Sequence, residues 1–367
     1  MKKNKNYGQP LFKNIKYCTR CCLPETVEGI SFDDLGICTV CRSQEQKMHI
    51  DWQARRKKLE EILYSYKNRP GSSYDCIVPI SGGKDSTFQL HVITKVYGLR
   101  ALAVTFNHNW MTETGKYNLT NALEKFNVDH IMYTPNRSLV NRLAKKSIFK
   151  IGDACWHCHA GVGAFPLQIA VKFKIPLIIW GESVAESSGR ATYYEPDKYD
   201  ANYFTRVSAK LTPGEMADKD ISEKELCFFM VPGPKELEKA HVCGIHLGDY
   251  IFWDDERQVE FIKKEYGWKE NDVEGTYKKY KSVECIMAGV HDYSKFVKRG
   301  FGRATDHASQ DVRVGLMTRE EGFQMIKDVD PKEPEAVSRY LKATGLSKKE
   351  FINACRSLRK GKARKLP

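Results

Sequence analysis

The six residues Ser81-Gly-Gly-Lys-Asp-Ser86 are the strongest chemical signal in the chain. They follow the apolar run Tyr74–Ile80 and precede the helix-forming stretch Thr87–Tyr97. A strand, a glycine loop and a helix in that order build an anion site from backbone. Gly82 and Gly83 let the main chain approach a ligand oxygen with no Cβ in the way. The helix then aims its free N–H groups and positive dipole end at the same point. Lys84 adds a mobile positive charge, and Ser81 and Ser86 add hydroxyl donors. Asp85, a carboxylate beside bound phosphates, would be repelled unless it orients a group or holds Mg2+. The spacing departs from G-x-x-x-x-G-K-[ST], which excludes an ordinary P-loop NTPase.

Cysteines supply the second signal. Cys18-Thr-Arg-Cys21 and Cys38-Thr-Val-Cys41 are C-x-x-C pairs at the spacing of a four-thiolate zinc site. A segment this short buries little core, so Zn2+ would supply its folding energy. Four protein ligands leave no open coordination position, which makes the role structural. Cys22 falls off the spacing. A further pair, Cys155-Trp-His-Cys158-His159, reads three ways: a redox pair, part of a metal site, or buried thiols.

The elements that must position these groups alternate from Tyr74 onward. Strands are expected at Tyr74–Ile80, Ala101–Phe106, His130–Tyr133 and Ile175–Trp180. Helices are expected at Lys116–Phe126, Leu139–Phe149 and 161–173. This rhythm predicts an α/β fold, a parallel sheet with helices on both faces, with ligands beyond the carboxyl ends of the strands. Phe106 and Asn107, and Gly181 and Glu182, fall at such ends and are candidates for adenine, ribose or Mg2+; turn chemistry explains them equally well. The expected layout is a zinc-ribbon module at 1–45, a linker helix at 46–70, a nucleotide-binding domain at 71–210, and a mostly helical substrate or partner region at 211–367. Amphipathic helices are read at Glu256–Trp268 and Lys332–Arg359.

Composition sets the bounds. The chain has 367 residues, 41% hydrophobic and 29% charged, with a net charge of +13. No apolar run is long enough to span a membrane, and Met1-Lys-Lys-Asn-Lys lacks the apolar core of a signal peptide. The expected location is the cytoplasm, where twelve cysteines are metal ligands, redox groups or core rather than disulfides. The positive charge favours anionic partners, from nucleotides to RNA.

SGGKDS resembles the PP-loop of the ATP pyrophosphatases, which split ATP between its α and β phosphates and adenylate a substrate oxygen. Other matching pieces are the Cys18–Cys41 knuckles, Cys155-x-x-Cys-His-Ala-Gly-Val-Gly-Ala-Phe-Pro166, Ile179-Trp-Gly-Glu182, His246–Trp253 and Asp292–Thr305. With these, nearly the whole chain is similar to the N-acetyl sugar amidotransferases of bacterial surface-polysaccharide (LPS, O-antigen) biosynthesis. The resemblance implies a PP-loop fold of the adenine nucleotide α hydrolase-like (HUP) type. It also implies ATP and Mg2+ bound at Ser81–Ser86, with Lys84 and Asp85 catalytic. The substrate would be a nucleotide-linked, acidic sugar, its anionic groups held by Lys295, Arg299 and Arg303. The N-acetyl group would become an acetamidino group. No glutaminase elbow G-x-C-x-G is present and Lys2 follows Met1, so ammonia is expected from a separate glutaminase subunit with a cyclase-like partner. Two other readings stand beside this one. One is a PP-loop tRNA-thiolating enzyme, in which Cys155, Cys158 and a later cysteine hold a [4Fe–4S] cluster; Cys243 is the third ligand read here, with Cys227 and Cys285 as alternatives. It lacks an evident RNA-binding appendage, so nucleic acid is not the expected partner. The other is a nucleotide-binding regulatory subunit without turnover.

Overall fold

The computed structural model describes residues 7–187, 193–194 and 208–367. Strands β1 Cys76–Pro79, β2 Ala101–Phe106, β3 Asp129–Tyr133, β4 Leu177–Trp180 and β5 Cys243–His246 form one sheet. Its order is β3-β2-β1-β4-β5, with every neighbouring pair parallel. Helices α1 Thr39–Met48 and α2 Trp52–Tyr66 precede the sheet. Between strands run α3 Lys84–Leu90, which continues as a π-helical stretch His91–Val96, then α4 Glu113–Phe126, α5 Arg137–Ile151 and α6 Trp156–Phe173. Short helices α7 Val184–Ser187, α8 Pro213–Met216 and α9 Pro234–Lys239 separate β4 from β5. The remainder is helical: α10 Asp255–Tyr266, α11 Ala288–Arg299, α12 Arg303–Arg313, α13 Arg319–Val329, α14 Glu335–Thr344 and α15 Lys348–Ser357.

Strand residues alternate between two apolar layers, as a sheet covered on both faces requires. Cys76, Val78, Ala101, Ala103, Leu177 and Ile179 pack under α2, α3 and α4, with Leu59, Leu63, Leu90 and Phe126. Ile77, Leu102, Val104, Phe106, Ile178 and Trp180 face α5 and α6, with Leu139, Leu143, Phe165 and Leu167. The direction of strand succession reverses about β1, which has β2 on one side and β4 on the other. The crevice between the carboxyl ends of β1 and β4 is therefore the topological switch point, where open α/β sheets hold ligands.

Several expectations change in detail. The linker expected as one helix at 46–70 is the end of α1 followed by α2, and Leu59 and Leu63 of α2 are core residues at 0% exposure. The helix read at Lys332–Arg359 breaks at Gly345 (φ +67°), and Ser347 caps a second helix by accepting the Glu350 N–H. Strand β5 lies outside the strands expected, because four residues of Cys-Gly-Ile-His carry no alternation to read. No helix among the described residues is long and apolar enough to cross a membrane.

The four knuckle cysteines are fully buried. Their sulfurs all lie within 4.8 Å of one another, with Cys18–Cys41 and Cys21–Cys38 each 3.8 Å apart. Tetrahedral bonds of about 2.3 Å place sulfurs about 3.8 Å apart, so the cage fits a zinc-sized ion. The backbone N–H groups of Arg20, Cys21 and Cys38 donate to Cys18 Sγ at 3.4, 3.5 and 3.2 Å, favouring a thiolate there. The module docks on the C-terminal helices. Arg319 of α13 donates to the carbonyls of Cys18 (2.7 Å) and Cys21 (3.0 Å), and Cys22 packs against Ala308, Phe323 and Ile326. Cys22 is thus a docking residue. Cys38→Ser should lose about one equivalent of metal per chain and lower the melting temperature, as elemental analysis and calorimetry would report; unchanged metal content would move the metal elsewhere.

Candidate functional site

The loop at 81–86 leaves the end of β1 at the switch point. Gly82 has φ +85°, and a Cβ there would meet the Gly115 carbonyl oxygen at 2.5 Å. Both its backbone angle and its close approach to α4 demand glycine. Gly83 is the N-cap of α3, and a Cβ on it would stand 3.4 Å from Glu284 Oε2. The loop holds itself in shape. Ser81 N–H donates to Ser86 Oγ and Gly83 N–H to Ser81 Oγ, both at 3.3 Å. Ser86 Oγ and Thr87 Oγ1 donate to the Gly83 carbonyl at 3.1 and 3.0 Å. Trp268 Nε1 fixes the Gly82 carbonyl from outside at 3.0 Å.

Lys84 is not the mobile charge the sequence suggested. It is 3% exposed and clamped between Asp85 and Asp255, with Nζ 2.6 Å from Asp255 Oδ1. Asp255, the first residue of α10, also pairs with Lys281. Burial alone would lower the Lys84 pKa, but Asp85, Asp255 and Glu182 outweigh it and hold the ammonium charged. Burial likewise works against the Asp255 carboxylate, and Lys84 and Lys281 overcome it, keeping its pKa low. Glu182 fares differently: burial and the neighbouring Asp255 push it up to about 8. Burial also raises Glu284, whose Oε2 is enclosed without a hydrogen-bond partner.

Lys84, Asp85, Glu182, Lys281 and Glu284 wall a cleft of about 360 Å³, with Phe106, Trp180, Gly181 and Ser282, and Asp255 stands behind Lys84. Of the strand-end candidates, Phe106, Gly181 and Glu182 therefore meet the loop. Asn107 does not: its amide donates to Thr134 Oγ1 at 3.0 Å and its oxygen accepts the Asn109 N–H at 2.9 Å, closing a turn. Phe106 lies flat on the α6 backbone, since a Cβ at Gly161 would fall 2.2–2.4 Å from its ring atoms. Asp255, Lys281 and Glu284 escaped the sequence reading. The only hint was the acidic run Asp254-Asp255-Glu256, which looks like an ordinary helix start. Glu284 arrives because its segment runs beside the β2–α4 loop, with Thr112 N–H on the Glu284 carbonyl at 3.0 Å.

The second cysteine group needs correction. Cys155 and Cys158 sit at the amino end of α6, on the carboxyl side of the sheet. Cys243 opens β5 opposite Leu177, on the amino side. The 18 residues of α6 span about 27 Å between those edges, so a [4Fe–4S] set of Cys155, Cys158 and Cys243 does not form. Cys227 is exposed on the 3-10 turn Glu223–Phe229. Cys285 and Cys355 share the apolar cluster of Cys155 and Cys158, and burial raises Cys155, Cys158 and Cys285, the last to about 12.

The basic trio also divides. Arg303 pairs with Asp292 at 2.8 Å and bonds Ser282 of the cleft wall. Lys295 pairs with Asp306 and Arg299 with Glu28, and both line a separate cavity.

Comparison with known proteins adds three findings. Residues 274–364 match the family described as LPS biosynthesis protein WbpG-like, C-terminal domain. An uncharacterized protein of Methanocaldococcus jannaschii is 23% identical over 88% of this chain and 96% of its own length, and a second from the same organism is 23% identical over 68% and 89%. NMN synthetase from Francisella tularensis aligns with 52% of this chain and 93% of that one, at 12% identity and a TM-score of 0.29, too low to carry weight. The segment 274–364 supplies Tyr280, Lys281, Ser282 and Glu284 to the cleft.

Two outcomes test this geometry. Glu182, raised from 4.5 to about 8, contributes stability below its ordinary value that is lost as pH rises through 8. The melting temperature of the wild type relative to Glu182→Gln should therefore fall between those pH values; a flat difference would mean an ordinary carboxylate. Gly161→Ala should displace Phe106 and destabilise the fold by about 1–3 kcal/mol, as thermal denaturation would report.

Proposed function

We propose that this protein is an ATP-dependent amidotransferase that replaces the carbonyl oxygen of a sugar N-acetyl group with ammonia-derived nitrogen, in LPS or related surface-glycan biosynthesis. The observation that carries the reading is the self-braced SGGKDS loop at the switch point, with a charged, buried lysine beside it. The match of 274–364 to a WbpG-like LPS biosynthesis domain supports the pathway, because that segment builds part of the cleft wall.

An amide carbonyl is a weak electrophile without a leaving group. In the proposed reaction its oxygen attacks the α-phosphorus of ATP, the α–β bridging bond breaks, and pyrophosphate leaves. Ammonia then adds to the imidate carbon, AMP departs with the former carbonyl oxygen, and a proton is lost to give the acetamidino group. Backbone N–H groups at the start of α3 and the Lys84 ammonium stabilise the negative charge on the departing pyrophosphate. Phe106 offers an apolar face for adenine. Asp85, 40% exposed at the cleft, and Glu182 would hold Mg2+, which would neutralise phosphate charge. In this reading ammonia comes from a separate glutaminase with its cyclase-like subunit, the zinc module at 1–45 braces the helical region at 211–367, and the enzyme works in the cytoplasm, where its nucleotide substrates are made.

One observation favours the tRNA-thiolating alternative: Cys155, Cys158 and Cys285 share one cluster close to the cleft. Iron and RNA would then copurify with the protein, and RNA binding would fall steeply with salt.

Incubation with ATP, an ammonium salt and nucleotide-linked N-acetyl sugars should yield AMP, pyrophosphate and a sugar whose mass reports exchange of O for NH. Glutamine alone should not replace ammonium. Formation of ADP and phosphate would refute the reading.

A further inference from the structure

A second cavity, of about 180 Å³, opens at the amino end of α6. Among the described residues its wall carries four cations, Lys210, Lys295, Lys298 and Arg299, against one carboxylate, Asp153. Asp153 is already committed, accepting the Cys155 N–H at 2.8 Å and facing His291 Nδ1 at 3.0 Å. Partners for the cations lie mostly outside: Glu28 serves Arg299 and stands 3.9 Å from Lys210, and Asp306 serves Lys295. Lys298 donates to the Ile151 carbonyl. Burial first, then the neighbouring Lys210 and Arg299, push Lys298 down to about 8.

The cavity adjoins the ATP cleft. His159 in its wall and Val162 in the cleft wall are one turn apart on α6. Lys295 and Arg299 on α11 are followed by Arg303, which bonds Ser282 of the cleft. The two cavities therefore lie side by side along α6.

We propose that this cavity is an oxyanion subsite, in which Lys210, Lys298 and Arg299 hold a phosphate or carboxylate of the acceptor while its reacting group enters the ATP cleft. Naming the acceptor rests on the amidotransferase reading; the anion site itself does not. Asp153, His159 and His291 also bring ligand atoms within 4.8 Å of one another, as a metal site would. Four neighbouring cations oppose a divalent ion there and favour an anion.

The test uses the full chain with its loop saturated by α,β-methylene-ATP and Mg2+, titrated calorimetrically with inorganic phosphate and, separately, with glucuronate. Binding of phosphate alone supports the subsite and identifies a phosphoryl group; binding of glucuronate alone supports it and identifies a sugar carboxylate. Lys298→Met should weaken the bound anion roughly tenfold or more and leave affinity for the nucleotide analogue unchanged. Lys210→Met serves the same purpose if Lys298→Met does not fold. Binding of neither anion, or binding indifferent to both variants, overturns the proposal. So does a second equivalent of metal that disappears in His291→Ala. Anion binding without AMP release from any N-acetyl sugar would sink the amidotransferase reading and leave the subsite standing.

Discussion

Placing the Lys84 ammonium at the head of α3, out of water, obliges the chain to bring carboxylates to it. An isolated buried ammonium would shed its proton rather than stay charged. Asp85 is supplied by the next residue, but Asp255 comes from 171 residues further along. Asp255 in turn needs Lys281, and the result is a chain of opposite charges lying behind the loop. Much of the C-terminal half can be understood as the scaffold that delivers these partners. The first α-helix after the sheet, α10, begins at Asp255, and the segment from Tyr280 to Glu284 closes the cleft.

The cleft therefore combines two kinds of surface. The loop and helix α3 present donors and positive charge, suited to phosphates. Glu182 and Glu284 present carboxylates whose charge burial disfavours. Such groups stay protonated more readily than exposed acids and can accommodate negative phosphates without full repulsion; a bound cation would restore their charge. The same arrangement explains why Lys84 is held in place: its carboxylate partners set its position, so in the proposed reaction it would need little reorganisation as phosphate charge develops.

The cysteine module contributes by bracing rather than by chemistry. Its four sulfurs are buried, and its contacts run to α12 and α13 through Arg319 and Cys22. Those helices belong to the segment that matches the WbpG-like domain. The amino-terminal module and the carboxyl-terminal helices thus share one interface, although nearly three hundred residues separate Cys22 from Arg319.

The loop, all four expected strands within two residues of their observed bounds, and the paired C-x-x-C cysteines were legible in the sequence because each is a local signal. Glycines at a strand end, apolar alternation and C-x-x-C spacing act over a handful of residues. Asp255, Lys281 and Glu284 carry no such pattern; their importance arises from where the fold delivers them. The choice between Cys243 and Cys285 beside Cys155 likewise depended on which edge of the sheet each occupies, and spacing along the chain says nothing of that. Lys295, Arg299 and Arg303 looked like one basic group on paper, yet Lys295 and Arg299 line one cavity while Arg303 bonds Ser282 in the wall of the other. Local backbone chemistry is written in short stretches of sequence, whereas charge pairing in a buried site is decided by long-range packing, and only the folded chain brings those charges within reach of one another.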